Sequence, residues 1–191
     1  MNIMERLDRL REKIQDPKFF SGEGLGGEVN IYIFCYSPKD EMAIRNFTEQ
    51  LQSDKALPCN IIEKNLYKIF LDICKKKKVL EKIPLLEERK GRNFLLEKIK
   101  GFASNLAFAD AINMEAQKPG DILLITCIGE VFPFVRLHSI LNALQPKNVK
   151  RIPIVALYPG DYDGREVILF NKLPPKGYYR AFNIIEREKI R

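Results

Sequence analysis

The chain predicts an α/β fold: a mainly parallel, Rossmann-like sheet in three layers, with helices on both faces and a helical insertion in the middle. Three observations carry this. Short, nearly uninterrupted apolar runs rich in β-formers occur at Val29–Cys35, Asp121–Ile128 and Ile152–Tyr158, as expected of strands buried on both faces. Segments with helical spacing of apolar residues lie between them. Strands that alternate with helices imply parallel pairing through crossovers.

In order along the chain, Ile3, Leu7, Leu10 and Ile14 recur at helical spacing among charges and predict a first helix, stopped by Asp16-Pro17. A glycine cluster, Gly22 to Gly27, leads into the first strand. Tyr36-Ser37-Pro38 closes that strand, and Asp40 to Ser53 predicts a helix with Met42, Ile44, Phe47 and Leu51 on its apolar side. Pro58 breaks the chain, and Cys59–Glu63 reads as a second strand. Leu66–Val79 is a helix with a Leu66, Ile69, Phe70, Ile73 stripe, and residues 80–117 continue as further helices. Gly129–Pro133 turns the chain into a helix over Phe134–Leu144, with Pro133 in its first turn, where the missing N–H costs nothing. Pro159–Gly164 reads as a dense turn, and Val167–Phe170 and Tyr178–Ile185 as closing strands, with an antiparallel edge expected.

All 191 residues fit one domain, in which about 66–117 form the helical insertion. That length buries a continuous core without disulfides or metals. The 46% hydrophobic and 30% charged composition excludes disorder as the default state. The net charge of +7 permits contact with nucleic acid or an acidic protein surface and demands neither. Both signs recur along the chain, and the densest basic run, Lys75 to Lys78, reads as a solvated helix end that complements the dipole. Cys35, Cys59, Cys74 and Cys127 form no C-x-x-C pair, and with one histidine the chain lacks a zinc set of ordinary spacing. Reduced thiols are expected, and with them a cytoplasmic location. Met1 to Arg11 is charged throughout, without the apolar stretch of a secretory leader. No apolar run approaches the roughly 18 residues that span a membrane.

Chemistry is harder to find. The glycine cluster precedes a strand instead of joining a strand to a helix, and no G-K-[ST] follows, so it reads as an entry loop and not a phosphate cradle. In open parallel sheets ligands sit beyond the carboxyl ends of the strands. Those ends carry Tyr36-Ser37, Gly129-Glu130 and Gly160-Asp161-Tyr162-Asp163, with Arg136 and His138 on the adjoining helix. If Glu130, Asp161, Asp163 and His138 converged, they would suit a hydrolase or nuclease; otherwise they are turn chemistry and a structural histidine. No nucleophile elbow or H-E-x-x-H is present. No catalytic, cofactor-binding or metal-binding residue is therefore assigned, and no cofactor is expected. Tyr and Phe with Arg are favoured at protein interfaces. Phe132, Arg136, His138, Tyr158, Asp161 and Tyr162 are accordingly the expected partner-binding residues, with Tyr178-Tyr179 nearby in sequence.

Three stretches also resemble a known family. They are Gly24-Leu25-Gly26-Gly27-Glu28-Val29 running into Tyr32–Tyr36; Gly129-Glu130-Val131-Phe132-Pro133-Phe134-Val135-Arg136, with His138 and Leu141–Gln145; and Tyr158-Pro159-Gly160-Asp161-Tyr162-Asp163-Gly164, with Leu169-Phe170 and Tyr178–Phe182. In order and spacing they are similar to the BrxB family of BREX (bacteriophage exclusion) phage-defence systems, over about residues 5–186. The resemblance implies a component that accompanies an ATPase (BrxC), a DNA methyltransferase (PglX) and an alkaline-phosphatase-like protein (PglZ). It implies a non-catalytic adaptor, whose partner would be the PglZ-like protein, with the BrxC-like one as the second candidate. The rival readings are a nucleic-acid-binding module of the same complex and a hydrolase or nuclease at the strand ends.

Overall fold

The computed structural model describes residues 2–21, 30–148, 152–162, 166–173 and 181–185. The chain opens with α1 (Ile3–Gln15), held at its start by a capping box between Asn2 and Glu5. Asp16 ends α1 and caps the one-turn α2 (Pro17–Phe20), so Asp16-Pro17 restarts the helix in a new direction as well as stopping it. Then come β1 (Ile31–Tyr36), α3 (Glu41–Ser53) and β2 (Asn60–Asn65). The helical middle is α4 (Leu66–Lys76), α5 (Ile83–Phe102) and α6 (Asn105–Ile112). The chain closes with β3 (Asp121–Thr126), α7 (Leu137–Leu144), β4 (Ile154–Tyr162), β5 (Val167–Leu169) and β6 (Phe182–Asn183).

Among the described residues the sheet order is β2-β3-β4-β1-β6, all parallel, and β5 pairs antiparallel with the end of β4. The antiparallel element is thus a hairpin on a central strand, and β6 is a parallel edge beside β1. Leaving β1, the chain crosses to the far edge by way of α3, then returns strand by strand through the other helices. Right-handed crossovers running in opposite directions put their helices on opposite faces. Alternate side chains sort accordingly. Phe34, Tyr36, Ile122, Leu124, Val155 and Leu157 pack with α1 and α3, while Ile33, Cys35, Leu123, Ile125 and Ala156 pack with α4, α6 and α7. On the first face Arg6 is buried with its guanidinium 4.6 Å from the Phe34 ring centre, and its Nη2 donates to the Cys35 carbonyl at 2.5 Å.

Several expected boundaries move, each for a local reason. Met42 is 66% exposed because, at about 3.6 residues per turn, it lies on the side of α3 opposite Ile44, Phe47 and Leu51, which face inward. Residues 129–134 form turns and α7 begins only at Leu137, so Pro133 lies in the turn, in a cis peptide, and not in the helix. Pro159-Gly160 does not end β4, because antiparallel pairing of Gly160 with Leu169 and of Tyr162 with Val167 carries the strand on. A Cβ on Gly160 would meet the Ile168 carbonyl oxygen at 2.1 Å, which is why the hairpin needs a glycine there. The glycine cluster 22–27, Asp163 and Tyr178-Tyr179 lie outside the described residues.

Candidate functional site

Because the main strands are parallel, their carboxyl ends gather on one side, and α3 leaves β1 from there. Beneath α3, at the ends of β1, β2 and β3, lies a crevice of about 290 Å³. Its walls combine polar side chains with Ile44 and Leu157.

Two hydrogen-bonded groups border it. In the first, Tyr36 Oη donates to Glu41 Oε2 at 2.6 Å, and Arg45 Nε donates to Glu41 Oε1 at 2.9 Å. Arg45 Nη2 also reaches Glu130 Oε1 in the turn after β3, at 2.6 Å. In the second, Glu63 Oε1 accepts from the Thr126 hydroxyl at 2.5 Å and Glu63 Oε2 from Gln52 at 2.6 Å. Both oxygens of Glu41 and both of Glu63 are therefore engaged by the chain's own side chains. The two groups fasten α3 to the ends of three strands.

The electrostatics favour proton retention. Burial pushes the Tyr36 phenol well above its usual range, and the hydrogen bond to Glu41 pushes it further. Cys127 follows β3 with a left-handed backbone (φ 55°). Its thiol is pushed up to about 11, first by burial and then by the Glu130 carboxylate, with Arg45 opposing. A thiol held protonated in this way is a poor nucleophile.

Of the strand-end residues the sequence singled out, Tyr36 and Glu130 meet here. Arg45, Glu41 and Glu63 were missed. Glu41 and Arg45 stand at i,i+4 on the helix after the first strand, which is a readable signal; the reach from Arg45 to Glu130 depends on tertiary structure. Among the described residues, no three His, Cys, Asp or Glu side chains are grouped so as to hold a metal ion.

The expected partner-binding residues lie on the neighbouring turn and hairpin. Phe132 is half-buried, and the Arg136 guanidinium lies 5.1 Å from its ring centre. Arg136 is also the extended residue that immediately precedes α7. His138, in the first turn of α7, has Nε2 3.1 Å from the Asn142 amide nitrogen. Asp161 and Tyr162 are half-buried on the hairpin, where Asp161 Oδ1 accepts from the Tyr162 N–H at 2.9 Å. Tyr158 is only 3% exposed and packs inside the core among residues of the α4–α7 face, so it supports the hairpin from below and offers no contact surface. Turn and hairpin touch at Gly129, where a Cβ would stand 2.7 Å from the Phe170 ring and 3.2 Å from Pro159 Cγ.

Comparison with known proteins gives a consistent result. The family described as "BrxB: BREX protein BrxB" matches residues 62–184. A BREX protein BrxB of Bacillus cereus (strain H3081.97) is 39% identical over 192 residues, covering 97% of this chain and 98% of that protein. A BREX protein BrxB of Escherichia coli O9:H4 (strain HS) is 25% identical over 185 residues, covering 94% and 90%. No solved structure matches.

Proposed function

The chain belongs to the BrxB family of BREX proteins, and on that premise we propose that it serves phage defence as a non-catalytic adaptor. Its partner in this reading is the PglZ-like protein, with the BrxC-like ATPase as a second contact. The observation that carries the non-catalytic half is the state of the strand-end carboxylates. This is where an α/β enzyme of this topology presents its acids and bases. Here Glu41 and Glu63 have both oxygens occupied, and Glu130 is ion-paired to Arg45. A general base must reach the proton it removes, and these groups are committed to holding α3 in place. The docking half rests on the turn and α7 start that carry Phe132, Arg136 and His138 and on the hairpin that carries Asp161 and Tyr162, two segments that touch where Gly129 meets Phe170 and Pro159.

The test is co-expression with the PglZ-like and BrxC-like proteins, affinity purification of this chain and size-exclusion chromatography. The expected result is co-elution at fixed stoichiometry in moderate salt, weakened by Arg136→Glu or Asp161→Lys. Elution of this chain alone, with every protein folded, would overturn the adaptor reading. Unchanged co-elution of both variants would remove this face from it.

A further inference from the structure

The surplus positive charge of the chain is not spread evenly over the fold. Residues 66–102, which hold α4 and α5, contain 11 Lys and Arg against 5 Asp and Glu, a net +6. The rest of the chain holds 21 Lys and Arg against 20 Asp and Glu, so this one helical layer carries nearly the whole excess.

The same layer contains an open groove of about 680 Å³. α5 shapes it. At Gly91 the backbone leaves the helical region (φ 81°, ψ 164°), and α5 breaks into two segments that both face α4. Only glycine takes that φ without strain. The floor is Phe70 stacked on Phe134, with ring centres 4.6 Å apart and planes 12° apart. Tyr67, Ile83, Pro84 and Leu96 form much of the rim, and Tyr67 is 42% exposed. Arg92 lines the groove directly. Lys75 stands one helical turn beyond Leu71, and Lys100 one turn beyond Leu96, so cations continue both walls.

We infer that this groove binds an acidic amphipathic helix of a partner protein, with apolar anchors one turn apart on the buried side and carboxylates on the flanks. Three features select that occupant. An apolar trough of this size accepts the side chains of one helix face, as helix-in-groove recognition requires. The surrounding cations attract an acidic chain and repel a second copy, which would bring the same +6 layer. A nucleic-acid backbone would gain from the cations, but it would lay phosphates over apolar walls and over Glu87 and Glu130, which also line the groove. Glu130 and Phe134 belong to the turn at the strand ends, so the groove adjoins the docking face proposed above.

The inference takes its biological sense from the adaptor reading, yet it can be tested apart from it. The probe is a labelled synthetic peptide of about 18 residues, long enough for partial helicity, with Leu at i, i+3 and i+7 and Glu and Gln elsewhere. Its scrambled isomer and a DNA duplex serve as comparators. Binding to the full chain is followed by fluorescence anisotropy in about 50 mM salt, where screening is weak. The expected result is saturable binding of the spaced peptide, with the scrambled isomer about tenfold weaker or worse. Tyr67→Ser and the combined Lys75→Glu, Lys82→Glu, Arg92→Glu variant should each weaken the spaced peptide by about tenfold. All these positions are exposed, so folding should survive, as circular dichroism would confirm. Equal binding of the scrambled isomer, or displacement of the peptide by the duplex, would overturn the inference. In the co-elution assay, retention of the partner by both variants would overturn it while leaving the adaptor reading intact. Peptide binding without any co-eluting partner would do the reverse.

Discussion

The two faces of the sheet are built to different standards of closure. The face under α1 and α3 is sealed by Leu7, Leu10, Ile14, Phe34 and Leu51, each at or below 1% exposure, and fastened at the strand ends by two side-chain networks. Among the described residues it leaves Met4, Met42 and, at the edge beside Tyr32, Phe182 as its exposed large apolar residues. The opposite face buries just as good a core under α6 and α7, but α4 leaves Tyr67 exposed at the rim of an open groove, and α5 leaves Leu85 and Phe94 exposed outside its lining. That layer also carries nearly the whole charge excess of the chain. Both sides therefore hold the fold together, and the second also gives up burial along α4 and α5 in return for a surface. Exposed aromatic and aliphatic side chains in a basic setting cost solubility unless something covers them.

The largest expected effect lies on the sealed side. Phe34 is fully buried in the centre of the sheet and supports the buried Arg6 guanidinium. Phe34→Ala leaves a cavity and removes the ring beneath a buried cation, so urea denaturation should show a loss of about 3–5 kcal/mol. A loss below about 1 kcal/mol would mean that this face relaxes freely, and the contrast between the two faces would collapse.

A smaller effect isolates the strand-end network. Tyr36→Phe removes the hydrogen bond to Glu41 and little volume, so it should cost about 1 kcal/mol at pH 7. The alkaline side sharpens the test. Folding raises the Tyr36 phenol above its ordinary value near 10, first through burial and then through the bond to Glu41. The folded state thus keeps a proton that the unfolded state loses. This stabilisation is fully present below the unfolded value and is lost as pH rises through the folded one. Cys127 adds the same sign from its ordinary value of 9.0 upward. The native protein should weaken above about pH 10, and the gap to Tyr36→Phe should narrow there. A gap of equal size at pH 7 and at about 10.5 would show that Tyr36 is not held protonated by the fold.

The three central strands were legible because both faces of each are covered, so Ile31–Cys35, Ile122–Ile125 and Ile154–Leu157 read as continuous apolar runs. β2 was harder, being an edge strand of partly exposed residues, and its bounds shifted to Asn60–Asn65. The position of the break in α5 was not legible, because Gly91 sits in a run of helix-forming residues and its positive φ is visible only in three dimensions. At the candidate site, the side of the sheet could be derived from topology alone. Arg45 could not, since its value lies in reaching Glu130, far away in sequence, from a helix position that reads as ordinary solvated surface. The concentration of charge was in plain view but became meaningful only once α4 and α5 were known to share one layer.

The smallest expected effect is the one that makes the contrast a contrast. Phe94 on α5 is 41% exposed, and its nearest cations are Lys90 Nζ at 5.0 Å and Lys98 Nζ at 5.9 Å from the ring centre. At that exposure such cation–π contacts are weak, of order 0.5–1 kcal/mol at most, and a serine also leaves less apolar surface in water. Phe94→Ser should therefore change the stability of the isolated protein by no more than about 0.5 kcal/mol in the same urea assay. A loss above about 2 kcal/mol would mean that α5 is packed as tightly as β1 and that its aromatic is spent on folding. Near-neutrality would leave Phe94 as apolar surface kept without any benefit to the fold, which is what a residue retained for contact with another molecule requires.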